Sequence, residues 1–229
     1  VLTARDDMWF YARNLSPLAP GSAVFAANEL VAERPAMSLA GGRTQLLDLA
    51  GDGSLDVVAF DAPTPGFYEH DKAEGWSAFQ SFKSVLNRDL RDPNARMVDM
   101  DGDGHADLLV TEADRMVWYP SLGEDGFGPE IALPMPLDDE RGPRLVFTDS
   151  TRSVYLADMS GDGLTDLVVV RDSSVEYYPN LGRRFGPKVT MDAAPHFDGP
   201  DQFDNRRIRL ADIDGSGTLD ILRVDTDGS

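Results

Sequence analysis

The chain has 229 residues, of which 40 are acidic and 21 basic, so its formal net charge is −19. This surplus of negative charge opposes binding to nucleic acid, whose phosphates require a basic surface, and binding to anionic membranes. Cysteine is absent, which excludes disulfides and thiolate metal sites. The 21 glycines and 15 prolines favour many short strands joined by tight turns. No apolar run reaches the ~18 residues that a membrane span needs, so we expect no membrane insertion by this segment.

One nine-residue pattern recurs four times and sets the organisation of the chain. It reads D-x-[D/S/A]-G-[D/S]-G-x-x-D and occupies residues 48–56, 99–107, 158–166 and 212–220, named here loops 1 to 4. The loops start 51, 59 and 54 residues apart (48 to 99, 99 to 158 and 158 to 212). A repeat of roughly 40–60 residues is typical of propeller blades and other stacked arrays.

Strand-like segments flank the loops. Segments with alternating residues precede loops 3 and 4, namely Val154–Leu156 and Ile208–Leu210. A short apolar run follows each of the four loops: Val57–Val58, Leu108–Val110, Leu167–Val170 and Ile221–Leu222. Nearly continuous β-branched runs predict strands that are buried on both faces.

Two further strands are predicted in each repeat. The third is Met116–Tyr119 in one repeat and Val175–Tyr178 in the next, and a fourth follows each Phe-Gly-Pro element. Four strands per repeat predict an all-β fold of β-propeller blades, each with four antiparallel strands, over residues 1–229. Residues 61–95 are the least regular part, and a longer loop is predicted from Glu69 to Trp76.

The four loops are predicted to bind calcium. Ca²⁺ takes roughly six to eight oxygen ligands at about 2.3–2.6 Å in a tolerant geometry, whereas magnesium demands a strict octahedron. Side chains at positions 1, 3, 5 and 9 can supply oxygens, and the backbone carbonyl at position 7 can add one. Glycines at positions 4 and 6 allow the chain to curl at positive φ.

Loop 2 carries the fullest ligand set, whereas Ala50 removes one oxygen from loop 1, which we expect to be the weakest site. The position-7 residues contribute carbonyls and the others side chains. The predicted ligands are Asp48, Asp52, Ser54 and Asp56 in loop 1; Asp99, Asp101, Asp103, His105 and Asp107 in loop 2; Asp158, Ser160, Asp162, Leu164 and Asp166 in loop 3; and Asp212, Asp214, Ser216, Thr218 and Asp220 in loop 4. The alternative is that the loops are Asp/Gly-rich turns closed by side-chain hydrogen bonds. Without a cation, such closely spaced carboxylates would repel one another.

The loops resemble FG-GAP/VCBS-type repeats of integrin-like β-propellers, and Phe127-Gly128 and Phe185-Gly186 match the Phe-Gly element of that family. Residues 154–224 more specifically resemble the propeller-bearing region of the B component of bacterial Tc insecticidal toxin complexes. That resemblance implies a secreted or extracellular bacterial protein without enzymatic activity. It also implies protein partners: in that family the B component forms a hollow shell with the C component, and its propeller docks on the pentameric A channel as a gate.

Two other functions stay open. One is a carbohydrate-binding lectin or adhesin, because the aromatic rings of Trp118, Tyr119, Tyr177 and Tyr178 could stack on sugars, although a place in the core is the simpler interpretation. The other is a hydrolase domain, which would require paired carboxylates in a cleft outside the loops. The histidines at 70, 105 and 196 belong to no recognisable catalytic motif, so the sequence predicts no enzyme.

The two ends of the chain fall in the same part of the repeat. Val1 is not preceded by an initiator methionine, and the first residues do not form a signal peptide, so we expect a piece of a longer protein. We expect the C-terminal residues to supply the first two strands of a blade, and the N-terminal residues to supply the third and fourth and to lack the first two. The alternative is a closed four-bladed ring in which Ile221–Val224 pairs beside Met8–Tyr11.

Overall fold

The structure is a computed structural model that describes residues 1–5, 8–15, 24–39, 44–60, 62–71, 75–149, 153–171, 173–196, 204, 207–211 and 219–224. Within these residues the regular elements are strands and one 3₁₀ turn, Gly123–Asp125. No helix in the described ranges has the length and apolarity needed to cross a bilayer. The strands are β1 (Leu2–Arg5), β2 (Met8–Tyr11), β3 (Glu29–Leu30), β4 (Thr44–Leu47), β5 (Asp56–Ala59), β6 (Gly66–Tyr68), β7 (His70–Asp71), β8 (Gly75–Trp76), β9 (Gln80–Ser81), β10 (Ala95–Val98), β11 (Asp107–Thr111), β12 (Met116–Tyr119), β13 (Ile131–Leu133), β14 (Ser153–Ala157), β15 (Asp166–Arg171), β16 (Ser174–Tyr178), β17 (Val189–Thr190), β18 (Ile208–Ala211) and β19 (Asp220–Arg223).

Three antiparallel four-stranded sheets have the strand order of propeller blades: β4-β5-β6-β9, β10-β11-β12-β13 and β14-β15-β16-β17. A three-stranded sheet, β1-β2-β3, precedes them, and the pair β18-β19 follows. The predicted fold class, all-β with blades of four antiparallel strands, is confirmed. The chain divides into two compact units, unit 1 with residues 1–89 and 123–126, and unit 2 with residues 90–122 and 127–229.

The second strand of a unit 2 sheet, β15, is buried on both faces. Leu167 and Val169 join a core cluster that contains Trp118, whereas Val168 and Val170 join the cluster on the opposite face. All four side chains are inaccessible to solvent or nearly so. The burial on both faces that the β-branched run predicts is therefore confirmed, and it explains why this strand lacks polar alternation.

Unit 1 contains a smaller core and one additional hairpin. Val58 from β5, Phe67 from β6 and Phe82 after β9 pack together, and the rings of Phe60 and Phe82 stack with centroids 5.7 Å apart. Between β6 and β9 the chain forms the hairpin β7-β8. The longer loop predicted from Glu69 to Trp76 is thus a hairpin added to the blade.

The first sheet corrects one expectation about the chain ends. Leu2–Arg5 forms β1, which pairs with β2 in the register Leu2 to Tyr11 and Arg5 to Met8. The N-terminal residues therefore supply a second strand as well as the third and fourth, and among the described residues this sheet has no first strand. Within unit 1, β2 pairs with β1 on one edge and with β3 on the other.

The Phe-Gly-Pro elements form a recurring turn that closes the third strand. The N–H of Gly128 donates to the carbonyl of Pro120 and the N–H of Gly186 to that of Pro179, both at 2.7 Å. A Cβ on Gly128 would lie 2.9 Å from Cγ of Pro120. Glycine is required here because the turn places this position against the rigid ring of Pro120, which leaves no room for a side chain.

Candidate metal centre

The aspartate at position 1 closes each described loop. In loop 2 the carboxylate of Asp99 accepts the N–H groups of Gly102 and Gly104 at 2.7 and 2.9 Å. Asp158 does the same in loop 3, and Asp48 accepts two N–H groups in loop 1. Gly102 and Gly104 have φ values of 80° and 88°. The positive φ predicted for positions 4 and 6 is therefore confirmed.

The aspartate at position 5 forms a local turn in the same three loops. Asp52, Asp103 and Asp162 each accept the N–H group two residues ahead, at 2.7, 2.8 and 2.9 Å. The hydrogen-bonded turns considered as an alternative to metal binding are thus present. They do not exclude a cation, because each carboxylate oxygen has a second lone pair.

The aspartate at position 9 links its loop to the end of the third strand. Asp107 is 1% exposed, and its two oxygens accept the N–H of Met100 at 3.0 Å and that of Ser121 at 2.6 Å. Asp56 and Asp166 make the same pair of contacts in their own repeats, each time to the residue 14 positions further along. The position-9 carboxylate therefore connects its loop to the end of the third strand within one blade, a structural role that the sequence analysis missed.

The environments of these carboxylates shift their pKa values in different directions. Burial raises the pKa of Asp107, and the hydrogen bonds from Ser121 and Met100 only partly oppose that effect. Burial likewise raises the pKa of Asp56. For Asp158 burial acts upward, but backbone N–H donors, Gly163 foremost, lower its pKa below the ordinary value. A divalent cation beside Asp107 would favour the charged carboxylate that burial opposes.

Loop 2 gathers three carboxylates at one point. Oxygens of Asp99, Asp101 and Asp107 all lie within 4.8 Å of one another. Oδ1 of Asp101 is buried without a hydrogen-bond partner, as is Nε1 of Trp118, a residue that is 2% exposed. Burying a carboxylate oxygen without a hydrogen-bond partner costs free energy, and a bound cation would offset that cost. Three hard oxygens with an unsatisfied one among them fit Ca²⁺.

Asp103, predicted as a ligand of the same loop, lies outside this group. Its Oδ1 faces Nδ1 of His105 at 3.3 Å, and its side chain is about half exposed. Across the rest of the described chain, no second set of three acidic or histidine ligands converges in this way.

The next repeat covers loop 2 from one side. The amide of Asn180, which is fully buried, donates to the carbonyl of Met100 at 2.9 Å. Arg183 follows in the same turn, with a φ of 65° that is uncommon for a residue with a side chain. Its Nη2 lies 3.6 Å from Oδ2 of Asp101. One arginine thus partly offsets the charge of three carboxylates, which leaves a net negative site.

The other predicted ligands have mixed placements. In loop 3 the hydroxyl of Ser160 lies 3.4 Å from Oδ1 of Asp158, and the side chain of Leu164 would contact any Cβ placed on Gly102. In loop 4, Asp220 begins β19. The remaining four predicted ligands of that loop lie outside the described residues: Asp212, Asp214, Ser216 and Thr218. Calcium binding stays a prediction at all four loops.

The repeated loops and sheets correspond to a known family model. The FG-GAP-like repeat model matches three overlapping stretches, residues 48–110, 99–169 and 158–222. The chain belongs to the FG-GAP-like repeat family. Each match begins on one loop and ends in the strand that follows the next loop, so the family unit joins two successive repeats. No curated protein sequence matches the chain.

The solved structures similar to this FG-GAP-like chain include a toxin and a lectin. A chain of the Photorhabdus luminescens Tc holotoxin pore is 26% identical over 98% of this chain, with a TM-score of 0.74. An Agrocybe aegerita lectin, described as recognising non-reducing terminal N-acetylglucosamine, is 19% identical over 93% of it, with a TM-score of 0.57. The present chain spans 10% of the toxin chain and 54% of the lectin chain. The lectin therefore shows the fold alone, whereas the toxin match is closer in both sequence and structure.

Proposed function

We propose that this chain is a non-enzymatic, calcium-binding propeller region of the B component of a bacterial Tc toxin complex. The observation that carries the proposal is the match to the Photorhabdus holotoxin chain over 98% of the length at a TM-score of 0.74. In this role the blades dock on the translocation channel and gate the toxin shell, and the protein is secreted. The protein partners are the other components of the complex.

The environments of the histidines support a structural role. The ring of His70 lies 4.5 Å from that of Trp76, and His105 sits beside the carboxylate of Asp103. The position-9 carboxylates are occupied by backbone N–H groups rather than placed in an open cleft. These histidines and carboxylates therefore stabilise the blades. We propose that the exposed surface of the blades contacts the protein partners.

A segment exchange tests the toxin-complex role. The matching stretch of the Photorhabdus chain is replaced by residues 1–229, and assembly with the other components is followed by electron microscopy and size-exclusion chromatography. We expect the chimera to form the shell and to dock on the channel. The matched control carries the structurally similar stretch of the Agrocybe lectin, which should not dock. A chimera that folds and closes the shell but behaves like the lectin control would contradict the docking role.

Calcium is proposed to act on the loops rather than in a reaction. Asp99, Asp101 and Asp107 would hold the ion in loop 2, with the carbonyl of His105 as a further ligand. Among the described residues, Arg183 alone forms an ion pair with these three carboxylates, and the ion would supply the further positive charge. Its binding would then fix loop 2 against the turn of the next repeat, and so stiffen one end of the blades.

Asp101→Ala separates metal binding from the structure of the loop. The substitution should remove calcium from loop 2. Without metal, the variant should melt at the same temperature as the parent or slightly above it, because Oδ1 of Asp101 makes no hydrogen bond and Oδ2 loses only its ion pair with the exposed Arg183, while the repulsion among the three carboxylates falls. Ala50 already occupies this position in loop 1. A site filled at a hundredfold excess over Kd contributes about 2.7 kcal/mol to folding, so chelator should lower the stability of the parent by about this amount more than that of the variant.

Calorimetry on metal-stripped protein and melting curves with and without chelator measure these two effects. Asp114→Ala is the matched control, since it removes the same charge from an exposed residue outside the loops. The control should retain every calcium site. Calcium binding at loop 2 is refuted if the parent does not respond to calcium, or if Asp101→Ala binds as many ions as the parent.

A further inference from the structure

We infer that unit 1 carries a carbohydrate-binding site for a terminal neutral hexopyranose, in the cleft between residues 32–36 and the hairpin β7-β8. This site is separate from the metal loops and does not depend on the toxin-complex role. It rests on the size of the cleft, on a tryptophan held in position by the added hairpin, and on a pair of opposite charges beside it.

The cleft has the dimensions of a small-molecule site. Its volume is about 600 Å³, and its wall includes Glu33, Arg34, Tyr68, Trp76 and Ser77. Sites for small ligands typically have volumes of roughly 300–1,000 Å³ and combine aromatic side chains with a few polar groups. All the lining residues belong to unit 1, and the cleft opens to solvent.

Trp76 is fixed by neighbours that leave it only half-buried. The ring of His70 lies 4.5 Å from it at 44°, and the edge of Trp9 meets it at 6.1 Å and 83°. Trp9 is 2% exposed and anchors this arrangement in the core. A rigid indole loses little conformational entropy when a ligand stacks on it, which favours binding.

The hairpin that carries Trp76 is not needed to build a blade. The two four-stranded sheets of unit 2 pass from their third strand to their fourth without such an insertion. The hairpin β7-β8 therefore adds an aromatic wall to the sheet of unit 1. Tyr68, at the end of β6, lines the same cleft and is packed against Phe79 with ring centroids 5.3 Å apart.

The polar groups of the cleft match the hydroxyl groups of a sugar. Glu33 offers acceptors and Arg34 offers donors, and their two charges cancel. Nη1 of Arg34 donates a hydrogen bond to the carbonyl of Pro35 at 3.3 Å, which restricts the orientation of the guanidinium group. A hexopyranose has hydroxyl groups on its edge and polarised C–H groups on its face, which suit this charge pair and an indole face respectively. Because the cleft is open, the substituent at C1 can project into solvent, as at the end of a glycan.

The test uses methyl α- and β-glycosides of glucose, galactose, mannose and N-acetylglucosamine with the intact chain. Saturation-transfer NMR should show contact with the C–H face of at least one of them, and titration should give a dissociation constant. Trp76→Ala should weaken binding by about tenfold or more, and Trp76→Phe should weaken it less, because an aromatic face remains. Tyr11→Ala, which removes another aromatic residue of unit 1 that is 47% exposed, should bind as the parent does.

Circular dichroism and the melting curve show whether Trp76→Ala stays folded. If it does not, Glu33→Ala on the exposed segment provides the second variant and should also weaken binding by about tenfold, the loss expected when one charged hydrogen-bond partner is removed. Absence of transfer from every glycoside, or unchanged affinity in the folded variants, would overturn the site. Binding of free reducing sugars but of no methyl glycoside would overturn the assignment to a glycan end.

Discussion

Asp166→Ala should destabilise unit 2 by about 3 kcal/mol or more, measured as the free energy of unfolding in urea with chelator present. The carboxylate is fully buried and accepts the N–H groups of Met159, Ser160 and Asn180 at 2.9, 3.0 and 2.8 Å. Alanine leaves all three donors without a partner. The N–H of Asn180 is buried, and such an unsatisfied donor costs about 1–3 kcal/mol, whereas the partly buried N–H groups of Met159 and Ser160 each add less. Asp166→Asn should cost less, because the amide retains one acceptor oxygen.

The matched control lies in the same loop. Asp162→Ala removes the same charge, but its carboxylate is exposed and accepts only the N–H of Leu164. Its loss should be about 1 kcal/mol or below, the usual contribution of one such hydrogen bond. Hydrogen exchange at the amide of Asn180 should accelerate in Asp166→Ala and not in the control. If the two variants lost the same free energy of unfolding, the position-9 aspartate would not be stabilising the blade by connecting its loop to the third strand.

Trp118→Ala should destabilise unit 2 by about 3–5 kcal/mol, the usual range for truncating a large buried aromatic residue. Trp118 stands in β12 opposite Leu109 of β11 and Ile131 of β13. It is 2% exposed and belongs to the cluster that contains Leu167 and Tyr178. Its removal would open a cavity at the centre of the two four-stranded sheets of unit 2, since close-packed neighbours relax only partly.

Ile131→Ala serves as the comparison for this substitution. Ile131 is the cross-strand partner of Trp118 on β13, but it is 39% exposed. Its truncation should cost about 1 kcal/mol, because much of its side chain is already in water. A loss of stability similar to that of Ile131→Ala would exclude Trp118 as the centre of this core.

The strand pattern was predictable because its causes are local. Met116–Tyr119 is predicted as the third strand of its repeat and forms β12 with the same bounds. The apolar run Leu167–Val170 predicts burial on both faces, which the two clusters on either side of β15 confirm. Gly102 and Gly104 adopt the positive φ that the curled loop requires. Each of these features follows from side-chain shape, hydrophobic period and backbone freedom within a few residues.

The first sheet and the added hairpin depended on longer-range pairing. Leu2–Arg5 forms a strand because it pairs with Met8–Tyr11. The identity of a strand's partner cannot be predicted from the four residues of the strand alone. Likewise, the segment from Glu69 to Trp76 shows little periodicity, yet Trp76 pairs with His70 and packs against Trp9. The position of that tryptophan beside Arg34, on which the carbohydrate site rests, follows from the packing of unit 1.

By itself the sequence determined the repeat, the class of fold and the oxygen-rich chemistry of the loops, because composition, period and glycine spacing encode these directly. The tertiary structure decided what each aspartate does. Four loops share one pattern, but among the described residues three carboxylates meet only in loop 2. There Asn180 and Arg183 from the next repeat cover the loop and Oδ1 of Asp101 is left buried without a partner. Sheet register places the residue 14 positions after each position-9 aspartate beside its carboxylate, and register is a property of paired strands rather than of any one of them.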